Sequence, residues 1–239
     1  MRPNNRASTA LRPISIDTHW IRNASGSALI RMGHTTVLCT CMIEQSVPPF
    51  LVGTGKGWLT AEYGMLPAST HSRKPRDRGA KVDGRTIEIQ RLIGRSLRTA
   101  VNLDKLGERT IWIDCDVLEA DGGTRTASIN GAFVALVLAL QRQPEGFPPI
   151  SDLIIDSVAA VSVGILNQEI LLDLEYVEDK EAEVDMNIVM TGSGKFVEVQ
   201  GSGEEATFDR TQLNQLIEIG TLGTRQITEL QQKVLQKSS

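Results

Sequence analysis

Residues 121–126, with the sequence Asp-Gly-Gly-Thr-Arg-Thr, lie between two segments of opposite character. Residues 110–119 alternate apolar and polar side chains, which is typical of a strand. Residues 127–140 are mostly small and apolar, and the run is long enough for a buried helix. The two glycines are therefore predicted to form a strand-to-helix turn.

A turn of this kind has a particular chemistry. It directs several free backbone N–H groups to one side, where the helix dipole adds partial positive charge. Arg125 adds a planar fork of donors that suits phosphate. Gly123, Thr124 and Arg125 are thus candidate phosphate ligands. An ordinary glycine turn with a threonine cap is the alternative, because Gly-Gly-Thr is common.

Composition sets the class of protein. The chain has 239 residues, enough for one domain or two small ones, and its 41% hydrophobic and 23% charged residues are ordinary for a soluble globular protein. No apolar run reaches membrane-spanning length, and the first residues lack the apolar core of a signal peptide, so we expect a cytoplasmic protein with no membrane partner. Cys39, Cys41 and Cys115 lie in apolar runs and are predicted to be buried, reduced thiols. The net charge of −4 gives no global attraction to nucleic acid, and no DNA partner is expected.

The first half is predicted to be strands followed by a helix. Residues 28–32 and 36–43 are strand-like and are separated by a short turn at Gly33 and His34, and residues 58–63 continue this pattern. Residues 89–101 carry apolar side chains at helical spacing. Arg85 follows Gly84 at the start of this helix, so it is predicted to be the second half of a phosphate clamp.

Two groups of basic residues stand out. On the predicted helix, Arg91, Arg95 and Arg98 lie opposite the apolar side chains and indicate a solvated or subunit-contact face. Residues 71–81 form the one strongly basic segment, which has no hydrophobic period and contains Pro and Gly. We name this segment the basic arm and interpret it as a mobile loop, either a solvated surface loop or a grip for phosphodiester backbone. Its candidate RNA-binding residues are Arg73, Lys74, Arg76 and Arg78.

The second half repeats the order of strands and then a helix. A Pro-rich connection at residues 141–152 is the only plausible internal boundary, giving halves of about 1–145 and 151–239 in a single domain. Two hairpins are predicted, from residues 157–166 with 169–176 and from 184–190 with 196–199. A helix or helix pair follows from about Asp209, where Gly220 and Gly223 are expected to introduce a kink. The fold class is therefore α+β, with two similar halves packed together.

An acidic cluster lies between these hairpins. Asp185 sits inside an otherwise apolar strand, which is costly unless the carboxylate is used or paired. Carboxylates near a phosphate site suggest a hard divalent cation, usually Mg²⁺. Glu178, Glu181 and Glu183 are interpreted instead as an exposed acidic loop.

Five blocks of sequence carry a resemblance to the bacterial ribonuclease PH family. They are Thr-Ala-Glu-Tyr-Gly-Met-Leu-Pro at 60–67, the Gly-Arg-Thr block at 84–98, the Asp-Gly-Gly-Thr-Arg-Thr block at 114–128, Asp-Leu-Glu-Tyr-Val-Glu-Asp at 173–179, and Asp-Met-Asn-Ile-Val-Met at 185–190. The resemblance runs from about Leu11 to the end. One departure is visible near the start, where the family usually has Arg-Pro-Asp-Gly-Arg and this chain has Asn at positions 4 and 5.

The resemblance implies a phosphorolytic 3′→5′ exoribonuclease, also called tRNA nucleotidyltransferase, that uses inorganic phosphate to trim the 3′ extensions of tRNA precursors. It also implies a homohexameric ring, a trimer of dimers. By motif, Arg85 and the run Gly123, Thr124 and Arg125 would hold phosphate. Asp179 and Asp185 match the family's catalytic, magnesium-linked aspartates, and the basic arm would face the RNA.

Several alternatives stay open. A metal held by Asp179 or Asp185 would offset charge on the leaving 3′ oxygen, and either aspartate would alternatively act as its general acid. A non-catalytic ring subunit of an exosome-like assembly would be expected to lack some of Arg85, Arg125, Asp179 and Asp185, whereas all four are present. A phosphorylase for free nucleosides is disfavoured by the basic arm, since binding a nucleoside requires no site for a polyanion.

Overall fold

The computed structural model describes residues 2, 5–76, 83–143, 147–203 and 206–238. Within these ranges the fold consists of two β-sheets and six α-helices, which confirms the predicted α+β class. The strands are β1 (Ile14–Thr18), β2 (Gly26–Met32), β3 (Thr35–Glu44), β4 (Trp58–Met65), β5 (Thr110–Glu119), β6 (Val158–Leu166), β7 (Glu169–Leu172), β8 (Val184–Thr191) and β9 (Phe196–Gly203). The helices are α1 (Gly84–Arg98), α2 (Leu103–Leu106), α3 (Thr124–Gln141), α4 (Ile150–Leu153), α5 (Tyr176–Glu181) and α6 (Arg210–Lys237).

The first sheet has the strand order β1-β2-β3-β5-β4. Its neighbours are antiparallel except β4 and β5, which run parallel because the connection between them passes through α1. Gly33, with a φ of 59°, closes the β2–β3 turn that the sequence predicts. Cys39 on β3 lies opposite Cys115 on β5, and all three cysteines are buried free thiols, as predicted.

The second sheet is antiparallel throughout, with the order β7-β6-β8-β9. Asn167 and Gln168 both have positive φ angles and form the two-residue turn between β6 and β7. The prediction of a strand through residue 176 is wrong, because β7 ends at Leu172. The chain then turns at Asp173, which has a φ of 56°, and enters α5.

Helix α3 lies between the two sheets. It packs against β2 and β3 on one side and against β6 on the other. Every residue from 126 to 140 is buried, so this part of the helix has no face exposed to solvent. The backbone also approaches its neighbours closely, since a Cβ added to Gly131 would lie 2.7 Å from the Cys39 sulfur. The buried helix predicted after the glycine turn is therefore confirmed as the centre of the core.

Helix α6 covers the second sheet as one continuous helix of 28 residues. The helix is uninterrupted through Gly220 and Gly223, so the alternative of a helix pair is wrong. A Cβ at Gly220 would lie 2.4 Å from the side chain of Ile188, and one at Gly223 would lie 2.7 Å from that of Leu172. The two glycines therefore let the helix approach the sheet closely. Of the helices within the described ranges, none combines the length and the apolar character needed to cross a bilayer.

Candidate active site

The glycine turn connects β5 to α3, as the sequence predicts. Gly122 and Gly123 have φ angles of 75° and 65°, a region that favours glycine. Gly122 also packs on the backbone of a second turn, since an added Cβ would lie 2.8 Å from atoms of Leu174, Glu175 and Tyr176. The turn at the start of α3 and the turn at the start of α5 are therefore in direct backbone contact.

The first turn of α3 presents donors to solvent-accessible space. The first N–H groups of a helix have no intrahelical acceptor. Thr124 accepts a hydrogen bond from the Tyr63 hydroxyl at 2.9 Å, which fixes its side chain. Burial raises the pKa of Tyr63, so this phenol remains a protonated donor at neutral pH.

A cavity of about 450 Å³ opens against this turn. It brings together most of the residues that the sequence analysis selects for phosphate chemistry. Arg85 comes from the first turn of α1, Gly123 and Thr124 from the start of α3, and Asp179 from α5. The other described residues that line it are Met65, Thr70, His71, Ser72, Lys74, Ala120, Gly122 and Tyr176. The cavity thus combines cationic side chains, a helix N-terminus and one carboxylate.

Arg125 has a different environment from the one the sequence suggests. The described residues lining the cavity do not include it. Its Nη1 donates to Glu88 Oε1 at 3.1 Å and to Gln200 Oε1 at 2.9 Å, and Gln200 Nε2 donates to the same Glu88 oxygen at 3.0 Å. The hydrogen bond from Gln200, together with the charges of Arg125 and Arg85, lowers the pKa of Glu88 although partial burial opposes this. Glu88 is therefore an ionised partner for Arg125.

Neither partner of Arg125 is predicted from the sequence. Glu88 follows Arg85 by three residues on α1, and this spacing puts the two side chains on the same face of the helix, a signal that places Glu88 near the candidate site. Gln200 lies on β9, 75 residues beyond Arg125, and no local pattern predicts its position.

The helix α5 is anchored by the residue before Asp179. Glu178 is 2% exposed, accepts from Arg2 Nε at 2.7 Å and accepts from Arg6 Nη2 at 2.9 Å. Hydrogen bonds and the positive charge of Arg2 and Arg6 lower the pKa of Glu178, although burial alone would raise it. The interpretation of Glu178 as part of an exposed acidic loop is therefore wrong.

Asp185 lies on β8, opposite Gly164 of β6 and Ser202 of β9. It is partly buried, and the described residues that line the cavity do not include it. No group of three or more His, Cys, Asp and Glu residues that could hold a metal occurs in the part of the chain that the structure describes. Two carboxylates are nevertheless a donor set that suits Mg²⁺, which commonly takes one or two from the protein and completes its shell with phosphate oxygens and water.

The basic arm is described as far as Arg76 and has no regular secondary structure there. Lys74 lines the cavity and also an adjoining one of about 380 Å³, to which Arg76 contributes. Arg73 and Arg76 are exposed. Arg78, the fourth candidate RNA-binding residue, lies outside the described residues.

The arginines on the outer side of α1 do not form one free cationic face. Arg95 forms an ion pair with Glu198. Arg98 donates to the Leu59 carbonyl at 2.9 Å and lies 5.2 Å from the ring centroid of Trp58. Arg91 and Arg95 are exposed, as a solvated face requires, whereas Arg98 is partly buried, so the predicted face is reduced to the first two residues. A subunit contact through this face stays a prediction.

Comparison with known proteins gives the family. Residues 10–140 match the first domain and residues 156–223 match the second domain of a family described as the 3′ exoribonuclease family, also designated RNase PH. The chain belongs to the RNase PH family. Relatives from this family include the ribonuclease PH of Geobacillus sp. (strain WCH70), 56% identical over 98% of this chain and 93% of that protein, and the ribonuclease PH of Rhodopirellula baltica, 54% identical over 94% of each.

Solved structures of the RNase PH fold also match. The rice (Oryza sativa) Rrp46 structure has a TM-score of 0.79 at 19% identity and covers 98% of this chain and 100% of that one. The Archaeoglobus fulgidus exosome with RNA bound to the active site has a TM-score of 0.80 at 22% identity, covering 95% of this chain and 91% of that one. At these identities the likeness shows the fold alone.

Proposed function

We propose that this chain is a phosphate-dependent 3′→5′ exoribonuclease, a tRNA nucleotidyltransferase that trims the 3′ extensions of tRNA precursors. The observation that carries the proposal is the cavity that joins Arg85, the Gly123–Thr124 turn and Asp179. Identity of 53–56% to ribonuclease PH proteins over at least 94% of the chain supports the same activity.

The reaction requires inorganic phosphate, an anion, to be held next to the negatively charged phosphodiester of the RNA. An oxygen of inorganic phosphate attacks the last phosphodiester phosphorus, the bond from this phosphorus to the 3′ oxygen breaks, and a nucleoside diphosphate leaves. Arg85 and the N-terminus of α3 neutralise and aim the attacking phosphate. Arg125 follows Thr124 on α3 and would contact the phosphate in place of, or in addition to, its hydrogen bond to Glu88.

The leaving 3′ oxygen must gain a proton. Asp179 and Asp185 are proposed as the acidic groups of the site, and they would hold Mg²⁺ together with oxygens of the substrates. When bound, the cation would offset negative charge on the reacting phosphates. Either aspartate would otherwise donate the proton itself.

RNA and further copies of the chain are the proposed partners. Lys74 and Arg76 extend the positive surface from the cavity toward the adjoining one, so Arg73, Lys74, Arg76 and Arg78 are proposed to contact the phosphodiester backbone. We also propose a homohexameric ring, a trimer of dimers, because the chain resembles ribonuclease PH throughout. A cytoplasmic location is proposed from the three free thiols.

A phosphate-dependence assay tests the function. A 3′-extended tRNA precursor is incubated with the protein in the presence or absence of inorganic phosphate, and the small products are identified. Shortening that requires phosphate and releases nucleoside diphosphates is expected. Nucleoside monophosphates released without phosphate would indicate a hydrolase and would contradict the proposal. Binding without shortening would favour a non-catalytic ring subunit.

A further inference from the structure

A buried ion pair joins the two halves of the chain next to the glycine turn that lines the cavity. Arg12 precedes β1, and Asp173 follows β7. The Asp173 carboxylate accepts from Arg12 Nη2 at 2.7 Å, from Nε at 3.1 Å and from the backbone N–H at 2.8 Å. Asp173 is 0% and Arg12 4% exposed, so water does not screen this pair.

The same guanidinium also contacts the glycine turn. Arg12 Nη1 donates to the Asp121 carbonyl at 2.5 Å, and Nη2 lies 3.5 Å from the Gly122 carbonyl. Thr35 holds the turn from β3, because its hydroxyl donates to the Gly122 carbonyl at 2.6 Å and accepts from the Asp121 N–H at 2.9 Å. Two side chains distant in sequence thus fix the carbonyl groups of this turn.

Fixing these carbonyls also fixes the donors of the turn. The peptide group is planar, so the C=O of Gly122 and the N–H of Gly123 point in opposite directions. A rotation of either peptide would re-aim the N–H groups at the start of α3. Gly122 and Gly123 have left-handed φ angles, but glycine can adopt other backbone conformations about as readily. The turn therefore does not hold this geometry by itself.

Arg12 is not itself a ligand of the cavity. The described residues that line the cavity do not include it, and its three side-chain nitrogens all contact Asp173 or the turn. Arg12 is therefore placed to act on phosphate through the residues that it holds, and a substitution that keeps its charge isolates this effect.

We propose that Arg12 is a positioning residue for phosphate: bound to Asp173, it holds the Asp121–Gly122 carbonyls so that the start of α3 faces the segment leading to Asp179. Thr35 supports the same geometry from β3. The inference rests on the proposed function, since it assigns a role within the same cavity.

Kinetics of two variants test this inference. Arg12→Lys keeps the positive charge but loses the fork that reaches Asp173 and the turn together. Thr35→Val keeps the shape and removes only the hydroxyl. The Michaelis constant for phosphate is expected to rise about tenfold or more for Arg12→Lys, because a displacement of about 1 Å in a binding group can cost up to a hundredfold. About fivefold is expected for Thr35→Val, the size of a lost hydrogen bond.

Comparing the Michaelis constant for phosphate with that for RNA separates a positioning role from a general loss of stability. The Michaelis constant for RNA should change by less than about twofold in both variants, because single-stranded RNA is bound mainly by basic residues elsewhere. Arg98→Lys is the matched control, since Arg98 is a partly buried arginine that donates to a backbone carbonyl away from the cavity. It should lower the unfolding temperature without changing either Michaelis constant.

The possible outcomes are distinct. If the wild-type protein shortens RNA without consuming phosphate, the proposed function fails and the role of Arg12 fails with it. If the wild-type protein is phosphorolytic but both variants keep wild-type phosphate kinetics, only the positioning role is overturned. If Arg12→Lys does not fold, the Thr35→Val result decides: a raised phosphate constant supports the inference, and an unchanged one overturns it.

Discussion

At the scale of single residues, the arginines of this chain differ in what their charge does. Arg85 lines the cavity, Arg125 is held by Glu88 and Gln200, and Arg12 is buried against Asp173. Charge alone therefore does not identify a phosphate ligand. The proposed clamp requires Arg85 and Arg125 to act together, which mutation can test directly.

Replacing Arg125 by Ala should weaken the use of phosphate far more than the binding of RNA. A charge-assisted hydrogen bond to an oxyanion is worth about 1.5–3 kcal/mol, so the phosphate-limited rate should fall at least about tenfold. Steady-state kinetics at varied phosphate measures this, with Arg22→Ala, an exposed arginine outside the candidate site, as the control. Unchanged phosphate kinetics in the Arg125 variant would exclude it as a ligand.

Replacing Asp185 by Asn should leave the fold intact, because the change is nearly isosteric, while the activity collapses. Added Mg²⁺ should not restore the activity fully, since an amide is a weaker ligand than a carboxylate. Circular dichroism and turnover are measured together, and Glu183→Gln, a nearby partly exposed acidic residue, serves as the control. A folded Asp185 variant with normal turnover would assign this residue a structural role.

At the scale of elements, the sequence predicts the units whose signals are local. The alternation in β5, the two glycines and the apolar run of α3 are contiguous, so the strand, turn and helix follow from periodicity. Contacts between side chains that are far apart in the sequence leave no periodic signal of this kind. Glu178 is predicted to be exposed because the arginines that bury it lie more than 170 residues away.

The contact between the turns at α3 and α5 is a second feature that periodicity does not reveal. Hydrophobic spacing reports which side of an element is buried, but it does not report which element covers that side. The candidate residues Arg85, Gly123, Thr124 and Asp179 come from the family resemblance and the local chemistry, and they line one cavity. The partners that orient them, Thr35 and Arg12 among them, emerge only from the three-dimensional structure.

Replacing Gly122 by Ala should disrupt the junction of the two turns. The side chain would meet backbone atoms at 2.8 Å, in addition to the cost of about 1 kcal/mol for a left-handed alanine. Gly53→Ala is a matched control, because Gly53 has a φ of 80° but no heavy atom within 4 Å of an added Cβ. Denaturant unfolding should show a loss larger by at least about 1 kcal/mol for Gly122→Ala. Equal losses of unfolding free energy in the two variants would show that the contact between the turns can adjust to the added Cβ.

Replacing Arg73, Lys74, Arg76 and Arg78 by Ala should weaken RNA binding and flatten its dependence on salt. Each phosphate neutralised on a single strand contributes about 0.7 to the slope of log affinity against log salt. RNA titrations at several salt concentrations measure the slopes of the wild-type protein and of the variant. Phosphate affinity should change less than RNA affinity, because Arg85 and Arg125 lie on helices and, of the replaced residues that the structure describes, Lys74 alone lines the cavity. If the wild-type protein and the variant had identical salt slopes, the basic arm would be only a solvated loop.

At the scale of the whole molecule, the two sheets share one helix layer, and the N-terminal segment crosses to the second half. Arg2, Arg6 and Arg12 all pair with carboxylates beyond residue 170. The proposed ring would therefore be built from subunits whose halves are already locked together.

The chain should sediment as a hexamer. The prediction rests on the likeness to ribonuclease PH along nearly the whole chain. Analytical ultracentrifugation across a range of protein concentrations measures the assembly, and the activity is assayed on the separated species. An active species of about the chain mass, 26.1 kDa, would contradict the prediction.

The position of α3 between the sheets has a consequence for synthesis on the ribosome. The side of α3 that packs on β6 cannot be covered until the strands of the second half have emerged. About 50 residues separate the end of α3 from the end of β8, so at about 5–20 residues per second the wait lasts several seconds. During that time the nascent chain carries a mostly apolar helix whose β6-facing side is uncovered. A chaperone would find this surface exposed in that interval.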